Sequence, residues 1–214
     1  MSEDDEIAIK GLQWVYGGLR MGGRSYYALD FSDLDDPSLK FHINPEAAKN
    51  AEGLPDTNNA LSYMGQSWSK PTIAYVKFGG SKKLVMFVGG GYDPGYESAD
   101  YDQNTTTGSG AGVYMFDADT GDLLWWTSAY ATAAKGAEAF TDSSDETINM
   151  KYSVVSQINA IDRDNDGFVD HLYFGDLGGQ AFRVDLNNGV TEKENFATRV
   201  VRLFDQHVSG GASP

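Results

Sequence analysis

The stretch YFGDLGGQAFRVD, residues 173–185, decides the fold, because it joins an aromatic strand, a glycine turn and a second strand that ends in aspartate. Two related phrases lie earlier in the chain, at 15–30 and at 87–117. The aspartates that close the three phrases are separated by 87 residues (117 minus 30) and then by 68 residues (185 minus 117). The chain is therefore built from three similar units that carry insertions of unequal length.

Further segments rich in β-branched and aromatic residues flank these phrases and read as strands. Segments 69–76 and 152–161 precede the strands of the second and third phrases, and segments 123–126 and 199–204 follow them. Each unit then reads as strand, turn, strand, glycine turn, strand, aspartate turn and strand, which is typical of a β-propeller blade. We predict an all-β fold, a β-propeller with about three recognisable four-stranded blades, either as a segment of a ring or as an irregular one.

The composition agrees with many short strands and tight turns, since the chain has 25 Gly, 12 Tyr, 11 Phe and 4 Trp. We expect aromatic residues from each unit, among them Tyr27, Phe116 and Phe182, to pack between blades. Propeller rings have four to eight blades. Three units therefore predict that further blades or associated copies complete the ring, or that the ring departs from regularity.

The segment DRDNDGFVD, residues 162–170, places four carboxylates in nine residues around one glycine. At positions one, three, five and nine of a tight loop, aspartates can turn oxygens toward one centre, and the carbonyl at position seven can add another. Glycine at position six takes a backbone angle that bulkier residues resist. The candidate metal ligands are Asp162, Asp164, Asp166, the Phe168 carbonyl and Asp170.

Calcium fits this set of hard oxygens best, because magnesium demands stricter geometry and zinc prefers His or Cys. A helix–loop–helix calcium site closes with Glu at position twelve, but position twelve is Tyr173 and both flanks read as strands. We therefore predict a calcium-clamped hairpin whose role is conformational rather than catalytic. The alternative is a surface turn without metal, since Asp, Asn and Gly favour turns. When the second unit is aligned with the third, the turn 77–82, which contains glycine and lysine, corresponds to this loop.

Charge and composition limit the other functions that the chain can have. A net charge of −15 argues against nucleic acid and anionic membrane surfaces as partners, and it suits cation binding. The chain has no Cys, and no apolar run approaches transmembrane length, so we expect no thiol chemistry and no membrane insertion of this segment. The acidic start favours a fragment of a secreted protein, with flexible ends at 1–10 and 206–214 around a propeller domain at 11–205.

Other acidic segments and the histidines give weaker signals. Segment 93–108 can bind a second cation or present its tyrosines to a partner, and the alternative, favoured by its irregular spacing, is a solvated insertion. Segments 30–36 and 141–146 read as acidic surface loops. The histidines are isolated, and the one beside Asp170 reads as a surface strand residue, with support of the metal site as the alternative. They are His42, His171 and His207.

Four stretches carry a resemblance to a known family: LSYMGQSWSKPTI (61–73), VMFVGGGY (85–92), VYMFDADTG (113–121), and the acidic loop with its following strands (162–186). In this order they are similar to the C-terminal β-propeller of the PilY/PilC family of type IV pilus tip proteins. The similarity runs from about Gly11 to Leu203, and the segment 93–108 departs from it by being longer and more acidic.

The resemblance implies a large secreted, adhesin-like protein, located at the pilus tip or on the outer-membrane-associated surface. Minor pilins of the pilus tip and host-surface receptors are the implied partners. In that family, calcium in the propeller loop is understood to govern pilus extension against retraction, and hence twitching motility. By the resemblance, this role falls here on the five candidate ligands named above.

Enzymatic readings have less support, and we predict that the chain is not an enzyme. The sequence contains no Gly-x-Ser-x-Gly elbow, phosphate-binding loop or zinc-ligand spacing. The alternative comes from residues 113–125, which also resemble the strand-turn repeat of quinoprotein dehydrogenase propellers. That resemblance implies a quinone cofactor with calcium at the ring axis.

Overall fold

The computed structural model describes residues 11–54, 56–101, 109–140 and 150–206. Within these ranges the regular structure consists of twelve β-strands and five short 3₁₀-helices, arranged as three sheets. The first sheet has the antiparallel order β1 (Trp14–Gly18), β2 (Tyr26–Asp30) and β3 (Ser38–Ile43). The 3₁₀-helices lie in the connections, at Pro45–Ala47, Ala60–Tyr63, Pro94–Glu97, Ala133–Lys135 and Lys193–Asn195.

The middle sheet has five strands in chain order, of which the last runs parallel to its neighbour. They are β4 (Thr72–Phe78), β5 (Ser81–Gly89), β6 (Val113–Asp117), β7 (Leu123–Thr127) and β8 (Glu138–Phe140). The third sheet has four antiparallel strands, β9 (Asn159–Ile161), β10 (His171–Gly175), β11 (Gln180–Leu186) and β12 (Ala197–Asp205). The prediction of an all-β fold with three blade-like units is confirmed, although only the third sheet has four strands.

Two apolar layers hold the three sheets together, and the middle sheet contributes to both. Its side chains alternate along each strand, so that Val85 and Phe87 face the third sheet while Met86 and Val88 face the first. All four are fully buried. Trp125 and Trp126 of β7 are also buried, and Trp125 faces the third sheet while Trp126 faces the first. The sheets form an open stack rather than a closed ring, consistent with a partial or irregular propeller.

The predicted strand 152–161 is wrong over most of its length, because only Asn159–Ile161 pairs as β9. The preceding backbone bonds to loops of the middle sheet instead of to β10. The Val154 N–H donates to the Gly110 carbonyl (2.8 Å), and the Val154 carbonyl accepts from the Gly91 N–H (3.0 Å). Val154 and Ile158 are fully buried between the sheets, so packing of this segment replaces strand pairing.

The prediction that Tyr27 packs between blades is also wrong, whereas Phe116 and Phe182 are buried between sheets as expected. Successive side chains point to opposite faces of a strand. On β2 the buried residues are Tyr26 and Ala28, and Tyr27 therefore lies on the other face, stacked on His42 with ring centroids 4.4 Å apart. In the described parts of the chain, no helix is long and apolar enough to cross a membrane.

Candidate metal centre

Residues 162–170, called the acidic loop from here on, form the turn between β9 and β10. The strands pair Ile161 with His171 directly beyond the loop, and the Asp170 N–H donates to the Ile161 carbonyl (2.9 Å). The prediction of a hairpin rather than a helix–loop–helix is confirmed. Asn165 (φ 62°) and Gly167 (φ 89°) have left-handed backbone, which lets the chain reverse within a few residues.

The loop brings three of the four predicted carboxylates together. Ligand oxygens of Asp162, Asp164 and Asp166 lie within 4.8 Å of one another, and all three side chains are exposed. Negative charges this close repel one another, and a cation between them removes the repulsion. Because every donor is a hard oxygen and the spacing is short, the residues present fit a calcium ion.

Hydrogen bonds inside the loop hold these carboxylates toward its centre. Asp162 Oδ1 accepts from the N–H groups of Asn165 (2.6 Å) and Asp166 (3.2 Å), and its Oδ2 accepts from the Gly167 N–H (2.8 Å). Asp166 Oδ1 accepts from the Phe168 N–H (2.9 Å). Asp162 therefore organises the backbone of the loop in addition to being a candidate ligand.

The other two predicted ligands lie differently. Asp170 is outside the group of three, and its Oδ2 accepts from the Arg163 N–H (2.8 Å) across the neck of the loop. The Phe168 ring packs toward the middle sheet, with Lys77 Nζ 4.6 Å and Lys82 Nζ 5.9 Å from its centroid. Metal ligation by Asp170 and by the Phe168 carbonyl stays a prediction, as does calcium itself.

The sequence did not reveal that the acidic loop is bonded to the neighbouring sheet. The Val169 N–H donates to the Tyr75 carbonyl of β4 (3.0 Å). Asn188, in the turn between β11 and β12, donates from Nδ2 to the Val169 carbonyl (2.8 Å) and accepts at Oδ1 from the Lys77 N–H (2.9 Å). The Asn-Asn-Gly sequence at 187–189 predicted only a turn, so the signal for Asn188 was present but indicated a local role.

His171 faces a carboxylate other than the one beside it in sequence. Its Nδ1 lies 2.9 Å from Asp185 Oδ1, and Arg183 and Arg199 each lie 2.7 Å from the same carboxylate. Burial opposes ionisation of Asp185, but hydrogen bonds from Arg199 and Arg183 outweigh it and hold the pKa of this carboxyl below its ordinary value. His42 stacks on Tyr27, and His207 lies outside the described residues.

The segment 93–108, predicted to be a solvated insertion with a second cation site as the other possibility, is described only as far as residue 101. The predicted surface loop 141–146 lies outside the described residues. Asp93 accepts from the Tyr101 hydroxyl (2.6 Å) and from the Gly95 N–H (2.9 Å). Burial raises the pKa of Tyr96 to about 12, and its ring packs between Tyr92 and Tyr101. The Asp93 carboxylate thus orders residues 93–101 through these hydrogen bonds. Within the predicted surface loop 30–36, residues 33–36 are exposed as expected, whereas Asp30 is half-buried at the end of β2.

Stacked blade-like sheets with an acidic hairpin turn define a β-propeller protein with a candidate metal loop. The chain belongs to the family described as the PilY1 beta-propeller domain, whose model matches residues 5–202. A solved structure, the crystal structure of the Pseudomonas aeruginosa PilY1 C-terminal domain, is similar in fold with a TM-score of 0.52 at 20% identity. That similarity covers 85% of this chain and 30% of the solved chain.

Curated relatives agree with this family. The chain is 25% identical over 210 residues to a protein of Xylella fastidiosa described as a type IV pilus biogenesis factor PilY1 homolog, covering 92% of this chain. It is also 25% identical over 181 residues to the type IV pilus biogenesis factor PilY1 of Pseudomonas aeruginosa strains PAO1 and PAK, covering 85% of this chain. The chain spans 12% of the length of each of these relatives.

Proposed function

We propose that this chain is a calcium-binding β-propeller segment of a type IV pilus biogenesis factor, acting in adhesion at the pilus tip. The observation that carries the proposal is the gathering of the Asp162, Asp164 and Asp166 carboxylates in a hairpin turn of a PilY1-family propeller. Relatives in this family are described as pilus biogenesis factors, which supports a pilus-related function. The proposal of calcium binding rests on these residues, and the proposal of adhesion and motility rests on the family resemblance.

The ion supplies positive charge to a loop in which four aspartates face a single arginine, Arg163. Three carboxylates, together with the Phe168 carbonyl and Asp170, hold it, and neutralisation of their repulsion lets the loop adopt one ordered conformation. The loop follows the first strand of its sheet, so its order decides how firmly β9 pairs with β10. The proposed role is conformational, and through it the ion controls pilus extension against retraction and hence twitching motility.

The proposed location is extracellular, at the pilus tip or on the outer-membrane-associated surface. The proposed partners are minor pilins of the pilus tip and host-surface receptors. The net charge of −15 suits an environment rich in divalent cations and disfavours nucleic acid. We propose no enzymatic activity for the segment.

Isothermal titration calorimetry of the purified chain with CaCl₂ tests the calcium site. The expected result is one site per chain with a Kd on the order of 10⁻⁶ to 10⁻³ M, because the loop lacks the Glu of position twelve. Asp166→Ala removes the heat, whereas Asp35→Ala, an exposed aspartate in the turn between β2 and β3, leaves it unchanged. Equal heats from the wild type and Asp166→Ala contradict the assignment.

A second experiment separates the pilus role from the quinoprotein alternative. Asp166→Ala, introduced into the full-length protein of the source bacterium, is expected to change surface piliation and the twitching zone while the protein is still produced. Dye reduction with alcohols or sugars, after reconstitution of the purified chain with a quinone cofactor and calcium, contradicts the non-enzymatic proposal. Unchanged piliation and twitching contradict the role of the loop in the pilus.

A further inference from the structure

The Phe168–Val169 peptide unit is the part of the acidic loop that is bonded to the middle sheet. Its N–H, from Val169, donates to the Tyr75 carbonyl on β4. Peptide bonds among the described residues are all trans, and in a planar trans peptide the C=O points away from the N–H. The Phe168 carbonyl therefore points away from β4, and it is the oxygen at position seven of the acidic loop. One rigid peptide plane thus has the neighbouring sheet at one end and a proposed metal ligand at the other.

Asn188 fixes the other side of this connection. Its Nδ2 donates to the Val169 carbonyl (2.8 Å), and its Oδ1 accepts from the Lys77 N–H of β4 (2.9 Å). Strand β4 pairs with β5 along one edge, so the Tyr75 carbonyl and Lys77 N–H belong to its other edge. The two backbone groups are bonded by Val169 of the acidic loop and by Asn188 of the connection between β11 and β12, which makes the loop part of the contact between the sheets.

We infer that metal occupancy of the acidic loop is coupled to the packing of β4 through the Phe168–Val169 peptide, with Asn188 as a positioning residue. The inference rests on the proposed calcium site and extends it from one hairpin to two sheets. A cation at the Phe168 carbonyl polarises the peptide and strengthens the Val169 N–H as a donor to Tyr75. The coupling is reciprocal, so the contact with β4 also holds the loop ready for calcium and raises its affinity.

Asn188→Ala tests the coupling by calorimetry. Loss of the amide removes both hydrogen bonds without touching a proposed ligand, and we expect calcium to bind roughly fivefold more weakly, at the lower end of coupling between sites. The matched control is Asn195→Ala, an exposed residue in the same connection between β11 and β12. An equal Kd for Asn188→Ala and the wild type overturns the inference, whereas a wild type that binds no calcium overturns the proposed function itself.

Hydrogen exchange supplies a readout that a merely structural asparagine does not change. Calcium is expected to slow amide exchange in Thr72–Phe78, which contains no proposed ligand, and to leave Leu123–Thr127 of the same sheet unchanged. In Asn188→Ala the slowing is lost. If Asn188→Ala does not fold, Asn188→Asp serves in its place, because it keeps the acceptor for Lys77 and lacks the donor to Val169. Calcium binding with no slowing of Thr72–Phe78 in the wild type contradicts the coupling.

Discussion

The first hairpins of the middle and third sheets occupy equivalent places in their blades but reverse direction by different means. Between β4 and β5 the chain turns through Gly79 and Gly80, at φ 61° and 72°. Between β9 and β10 it turns through nine residues with four carboxylates. The glycine turn reverses through backbone geometry, whereas the acidic loop gathers three carboxylates that repel one another and that accept hydrogen bonds from the loop's own N–H groups. The comparison thus sets a turn made by two glycines beside a turn for which we propose an ion-dependent conformation.

The two turns also differ in what surrounds them. Cβ atoms at Gly79 and Gly80 would lie 2.9 Å from Lys193 and 3.0 Å from Thr191, so the glycine turn packs tightly against the connection between β11 and β12. At Gly167 a Cβ meets no heavy atom of the described residues within 4 Å. The acidic loop is therefore open at Gly167 and bonded to the middle sheet through Val169, near its neck, which suits an ion that enters from solvent.

The largest expected effect is that of calcium on the stability of the third sheet. At a free calcium concentration of about 100 times Kd, binding adds roughly 2.7 kcal/mol to the free energy of unfolding. For a chain of this size that raises Tm by roughly 5–10 °C. The melting curve followed by circular dichroism is expected to lose this shift in chelator and in Asp162→Ala, and to keep it in Asp35→Ala. Identical melting curves with calcium and with chelator would mean that calcium does not stabilise the acidic loop, and would contradict the proposed difference between the two turns.

The next largest effect on stability is expected for substitution of Asp185, near the end of β11. Asp185→Asn weakens the contacts with Arg183 and Arg199, and we expect it to cost about 2 kcal/mol at neutral pH, regardless of calcium. Urea unfolding of the variant and of Asp35→Asn measures this. A cost that appears only with calcium bound would mean that the Asp185 cluster belongs to the metal site.

Acid is expected to destabilise the middle and third sheets alike. Burial opposes ionisation of Asp117 too, but hydrogen bonds from Lys83 and from turn N–H groups outweigh it, so its pKa, like that of Asp185, is lowered. A lowered folded-state pKa adds stability that is present above the ordinary value of 3.8 and is lost as the pH falls through the folded-state pKa. Urea unfolding at pH 7 and pH 3 should therefore show a smaller penalty for Asp185→Asn at pH 3. A penalty that does not change between these pH values contradicts the lowered pKa.

Alanine at the glycines compares the turns directly. Gly79→Ala and Gly167→Ala each place a Cβ on left-handed backbone, at an expected cost of about 1 kcal/mol, and Gly79→Ala must also displace the Lys193 side chain. Only Gly167→Ala should weaken calcium binding, because it shifts the residue between the ligands at positions five and seven. Chemical denaturation and calorimetry of both variants measure the two effects. A loss of calcium affinity in Gly79→Ala would place the ion elsewhere.

The smallest effect on stability is expected for Asp170→Asn. The amide can still accept from the Arg163 N–H, so unfolding in chelator should change by less than about 0.5 kcal/mol. If Asp170 is a ligand, loss of its charge weakens calcium about tenfold in calorimetry. An unchanged Kd limits Asp170 to closing the neck of the loop.

Much of the fold followed from local patterns in the sequence. Alternating aromatic strands and glycine turns predicted β5, β6, β10 and β11, and the strands flanking the acidic loop correctly excluded a helix–loop–helix. Segment 152–158 has the composition of a strand, but its partners come from the Gly91 and Gly110 loops, which lie far away in sequence. Tyr27 was misassigned because Tyr26 and Tyr27 are adjacent, and a shift of one residue exchanges the faces of a strand.

The site was predictable in its residue types but not in its attachments. The spacing of Asp162, Asp164 and Asp166 in sequence was enough to predict that they come together. The bonds of Asn188 and Val169 to β4 depend on how two sheets pack, and no local pattern reports that contact. For the same reason His171, beside Asp170 in sequence, meets Asp185 on the adjacent strand.

The most direct test is the electron density of the acidic loop in crystals grown with millimolar CaCl₂. We expect one calcium ion, with oxygens of Asp162, Asp164, Asp166 and the Phe168 carbonyl at about 2.3–2.6 Å. An ordered loop with its carboxylates in place and no ion at that calcium concentration would contradict the account.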